Sequence, residues 1–101
     1  MKGKFMLQEI TITSNAQESI KPLIESAIQS QLKTLQHGIK RTKERIAEFE
    51  KKMEISSADF EKKLKDGTIE ETLETIDWNM ELAALRLLEA QYQSLSEAKI
   101  D

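Results

Sequence analysis

The chain has 101 residues, a third of them charged, with a net charge of −3, three Gly, one Pro and no Cys. That length holds one domain at most, and the charge-rich, Gly- and Pro-poor composition is that of a highly helical protein. The absence of Cys excludes a disulfide framework, a thiolate nucleophile and a Cys-based metal site, and no apolar run reaches the roughly 20 residues of a membrane helix.

Residues 5–13, Phe5 to Thr13, are the one segment that reads as a strand, on the β-branched run Ile10-Thr11-Ile12-Thr13. A lone strand leaves its backbone groups unpaired, so residues 1–13 are expected to pair with a second copy or a partner, or to form an irregular arm. Ser14 and Asn15 suit a turn or cap. A helix is expected over 19–54, with Ser19 as N-cap so that Pro22 falls in the first turn, where its missing N–H does no harm. Its apolar stripe runs through Ile24, Ala27, Ile28, Leu35, Ile39, Ile46, Phe49 and Met53, diluted by Gln31, Gly38 and Thr42. Such a helix is about 50 Å long and requires a partner helix along its length.

Ile55-Ser56-Ser57-Ala58-Asp59-Phe60 predicts a break and a restart. Ser56 caps a short helix over 57–66, Asp59 sits near its positive end, and Ile55 can staple to Phe60. Gly67 ends it. Thr68-Ile69-Glu70-Glu71 reads as a second capping box, launching a helix over 69–98. The fold expected is therefore all-α, a single domain over 1–101: two long antiparallel helices joined by a short one, with the N-terminal strand as an addition.

The last helix carries two apolar faces. At about 100° per residue, Ile69, Leu73, Ile76, Met80, Ala83, Ala84 and Leu87 form one stripe, while Trp78, Leu82, Leu85 and Tyr92 cluster roughly opposite. A two-layer packing uses one face. The aromatic face, with the chain's only Trp and only Tyr, is left to be covered by this chain, a second copy or a foreign protein. Trp78, Leu82, Leu85 and Tyr92, with the flanking charges Glu81 and Arg86, are the candidate contact residues, since Trp, Tyr and Arg dominate interface energetics. Arg86 suits an ion pair on the helix surface equally well.

Charge is unevenly spread. Ten basic against seven acidic residues give residues 1–54 a net +3, while five against eleven give residues 55–101 a net −6. The acidic half would suit a basic partner. The basic cluster Lys40, Arg41, Lys43 and Arg45 is diluted at once by Glu44, Glu48, Glu50 and Glu54, which reads as a solvated helix face, so nucleic acid is not expected as the primary partner. His37 is the only His, so no His pair can hold zinc, and the three glycines build no phosphate loop. Glu70, Glu71, Glu74, Asp77 and Glu81 lack the Glu-x-x-His partner of a di-iron bundle. No catalytic, cofactor or metal site is expected, and neither a secretory signal nor a membrane span is read, so the cytoplasm is the expected location.

The order of pieces resembles a known pattern. Met6-Leu7-Gln8-Glu9-Ile10-Thr11-Ile12 leads into Ile20-Lys21-Pro22-Leu23-Ile24-Glu25-Ser26-Ala27, then Gly38-Ile39-Lys40-Arg41-Thr42 and Phe49-Glu50-Lys51-Lys52-Met53. Ser56-Ser57-Ala58-Asp59-Phe60, Glu70-Glu71-Thr72-Leu73-Glu74, Asp77-Trp78-Asn79-Met80-Glu81 and Leu85 to Leu95 follow. From Met6 onward this resembles the small helical antitoxin-like proteins of cyanobacterial and archaeal type II toxin–antitoxin modules. The resemblance implies neutralisation of a small toxin-like protein by direct binding, with the aromatic face and the acidic half as the contact surface. The alternative expectation is a homo-oligomeric helical hairpin with an architectural or adaptor role, its second face closed by symmetry.

Overall fold

A computed structural model describes residues 14–98, with side chains from residue 19, and forms three helices: α1 (Ser14–Met53), α2 (Ser57–Asp66) and α3 (Leu73–Ser96). The fold is all-α, a helical hairpin in which α1 and α3 pack together. The strand expected at Phe5–Thr13 lies outside the described residues.

The two long helices run antiparallel, and their polar contacts show the register. Lys52 bonds to Glu74, Arg45 to Glu81 at 3.0 Å, Lys43 to Glu89 at 3.9 Å, and Gln36 donates to the Tyr92 hydroxyl at 3.0 Å. As one number falls the other rises. The opposite charges of the two halves of the chain thus meet each other, which answers part of the asymmetry seen in the sequence.

α1 starts earlier than Ser19. The helix runs from Ser14 with Pro22 inside it, so one backbone hydrogen bond is missing where the proline has no N–H to give. The expected stripe supplies the seam facing α3 from Leu35 through Ile46, Phe49 and Met53, but not at its N-terminal end. Leu35, Thr42 and Ile46 are buried, whereas Ile24 and Ala27 face solvent. Thr42 and Gly38 belong to the seam and do not dilute it. A Cβ at Gly38 would stand 3.5 Å from Leu88 Cδ1, so the glycine is where α3 comes close. α1 has 40 residues and α3 has 24, and they are level at the Lys52–Glu74 end. At about 1.5 Å per residue, α1 outruns α3 at its N-terminal end, where Leu23 is 69 % exposed.

α1 ends at Met53, and the next residue, Glu54, takes a left-handed backbone (φ 60°). α2 follows the expected bounds. Ser56 Oγ accepts from the Asp59 N–H at 3.1 Å. Glu50 of α1 reaches across to accept from the Ser57 N–H at 2.8 Å, placing a carboxylate at the positive end of α2. Gly67 closes the helix with φ 72°. Its N–H bonds to the Leu64 carbonyl, and the Thr68 N–H to that of Lys63, the 5→2 and 6→1 pair of a Schellman motif.

That closure explains why α3 starts late. Thr68 is already committed to ending α2, so the N-cap passes to Thr72, four residues beyond the expected position. Thr72 Oγ1 accepts from the Thr75 N–H and Thr75 Oγ1 accepts from the Thr72 N–H, a capping box with Thr at the place usually held by Glu or Gln. Thr75 is buried, and its hydroxyl also donates to the Glu70 carbonyl at 3.2 Å.

Candidate docking surface on the third helix

The sequence gives α3 two apolar faces, and the structure assigns them in the opposite sense to the periodicity reading. The aromatic face goes inside. Trp78 and Phe60 are fully buried, Leu82 is 6 % exposed, and with Ile46 they form the core. The Trp78 ring is stacked between two phenyl rings, 3.9 Å from Phe60 and 5.8 Å from Phe49 by centroid, within 8° of parallel to both. Its indole N–H donates to Ser57 Oγ at 3.2 Å, so the large side chain is buried without an orphaned donor. Phe49, Met53, Ile55, Leu64, Ile69 and Leu85 pack around this centre.

The six candidate contact residues are thereby accounted for within the chain. Trp78 and Leu82 are covered by α1 and α2, so of the three covers open to this face the chain itself supplies it there, and these two residues are not free for a partner. Leu85 packs against the same core. Tyr92 is half-buried, with its hydroxyl held by Gln36. Glu81 binds Arg45 of α1, and Arg86 binds Glu61 of α2, not an acid on its own helix. What unites them is their position on the sides of α3 that face the other two helices.

The face left over is the stripe that periodicity assigned to the core. Leu73 is 82 % exposed, Ile76 44 %, Met80 64 % and Leu87 60 %. Ala83 is exposed between them. The alternating steps of three and four residues keep these side chains in one line along the helix, about 21 Å long at 1.5 Å per residue. Ile69, expected in the same stripe, instead packs against the core, because it precedes the first turn of α3 and obeys no helical period.

The ridge is flanked by two shallow grooves. On the α1 side, Arg45, Glu48, Phe49 and Lys52 face Asp77 and Met80. On the α2 side, Leu64 and Lys65 face Glu71, Ile76 and Asn79. Four acids of the hairpin, Glu61, Glu74, Glu81 and Glu89, are in ion pairs. Glu48, Glu70, Glu71 and Asp77 enter none among the described residues. The carboxylates noted in the sequence therefore do not gather: Glu74 and Glu81 turn to α1, and among the described residues no three metal-ligating side chains converge. His37 is exposed on α1.

One signal in the sequence marks the buried side of α3. Glu74 and Glu81 stand seven residues apart, as do Lys52 and Arg45, so the two acids meet the two bases in reverse order along the flank of the aromatic face. No helix among the described residues is long and apolar enough to cross a membrane. Compared with family models, with curated proteins and with solved structures, the chain finds no match.

Proposed function

We propose that this chain works by binding another protein through the exposed ridge of α3, as an antitoxin-like neutraliser that covers a working surface of a small toxin-like partner in the cytoplasm, with no catalysis of its own. The observation that carries this is the ridge of Leu73, Ile76, Met80 and Leu87, left on solvent after the core has closed around Trp78. Contiguous apolar patches on a protein surface mark interaction sites more often than isolated exposed leucines do. The family resemblance supports a toxin as the class of partner. A primary role in nucleic-acid binding has less support, because Lys43, Arg45 and Lys52 are engaged with acids of α3.

The second reading is the homo-oligomeric adaptor. Its support is the three-and-four spacing of the ridge, which is also what two like helices need to pack side by side. Solution mass separates the two. The chain is measured alone and after co-expression with its neighbouring open reading frame, as wild type and as Met80→Glu. A heteromeric complex that Met80→Glu abolishes is the expected result. A tight homo-oligomer that ignores the neighbour and dissociates in Met80→Glu would overturn the neutraliser and establish the adaptor.

A further inference from the structure

We infer that the ridge takes an amphipathic helix with one basic edge, lying along α3 with that edge over the groove between α1 and α3. The inference rests on the protein-binding reading above and specifies the chemistry of the partner.

Three observations lead there. First, α3 offers no strand edge: its backbone is satisfied within the helix and at its caps, so an added β-strand has nothing to pair with. A line of side chains at three-and-four spacing fits instead between the rows of a second helix, crossing at about 20°. Four turns of partner helix, about 14 residues, cover the length from Leu73 to Leu87. Second, the two flanks differ in charge. On the α1 side Arg45 and Lys52 are taken up by Glu81 and Glu74, which leaves Glu48 and Asp77 unpaired beside Met80. On the α2 side Lys65 stands with Glu71, and Glu61 is bound to Arg86, so that flank carries no acidic excess.

Third, a second copy is the wrong charge for this surface. Glu74, Glu81 and Glu89 are taken up by α1 and Arg86 by Glu61, so the charge a second copy would meet beside the ridge is that of Glu48 and Asp77. In an antiparallel twofold arrangement each Asp77 edge meets its own counterpart, a like-charge juxtaposition that opposes association. A Lys- or Arg-edged helix is attracted by the same groups.

The test uses two synthetic helical peptides with the same Leu/Ile stripe, one with Lys and one with Glu at the edge positions. Each is fluorescently labelled and titrated with the full-length chain, with anisotropy read in low and high salt. The Lys-edged peptide should bind about tenfold more tightly at low salt, given the small worth of exposed charge pairs, and the gap should close at high salt. The double variant Glu48→Lys, Asp77→Lys should reverse the preference, and Met80→Glu should lose both peptides while keeping wild-type helicity by circular dichroism. Equal affinities, a preference for the Glu-edged peptide, no binding of either, or wild-type self-association that Met80→Glu abolishes would each overturn the inference. If a co-expressed neighbour still needs Met80 when neither peptide binds, the protein-binding reading stands and the basic helix falls. If the Lys-edged peptide binds as described but no neighbour complex depends on Met80, the neutraliser falls and the surface chemistry stands.

Discussion

The two faces of α3 are both apolar, yet one is core and the other surface. The inner face holds Trp78 and Leu82, meets Phe49 of α1 and Phe60 of α2, and is edged by Glu74 and Glu81 in ion pairs with Lys52 and Arg45. The outer face holds Leu73, Ile76, Met80 and Leu87, each 44 to 82 % exposed, and no helix among the described residues covers it. Apolarity alone did not choose between them. The aromatic face won because it has matched partners on two other helices, a hydroxyl for its indole N–H and complementary charges along its edge. The outer face has none of these within the chain, which is why its apolar residues read as a contact surface and not as a packing defect.

The largest expected effect tests the inner face. Trp78→Ala removes the centre of the stack and should destabilise the fold by about 3–5 kcal/mol, read as a fall in the urea midpoint. A loss under about 1 kcal/mol would mean that the stacked rings are not the core, and the comparison would collapse. Next comes the seam. Gly38→Ala adds a Cβ in ordinary contact with Leu88 and removes a helix-interior glycine, so it should stabilise by about 0.5–1 kcal/mol in the same assay. Destabilisation instead would show that α1 and α3 approach more tightly at this point. The smallest effect tests the outer face. Met80→Gln should change folding stability by no more than about 0.5 kcal/mol while weakening any complex formed through the ridge. A cost of 2 kcal/mol or more in the isolated chain would make Met80 a core residue, and the ridge would lose its standing as a surface.

The helix boundaries were legible where the capping chemistry was local. Ser56, Asp59 and Gly67 set α2 as expected, because an N-cap hydroxyl and a left-handed glycine act over three or four residues. The start of α3 was not, since Thr68 suits either ending α2 or capping α3, and only the Schellman closure at Lys63 decides which. Thr42 and Gly38 looked like flaws in the α1 stripe, and only the approach of Leu88 shows the glycine as part of the contact.

By itself the sequence determined the all-α class, the three helices, the hairpin order and the presence of two apolar faces on the last helix. These follow from periodicity, caps and turn residues, which are properties of short stretches of chain. Which face of α3 is buried was decided only in the tertiary structure. That choice depends on aromatic and ionic partners 18 to 46 residues away in the chain (Phe60 for Trp78, Lys43 for Glu89), and a hydrophobic period measures how apolar a face is, not what stands opposite it.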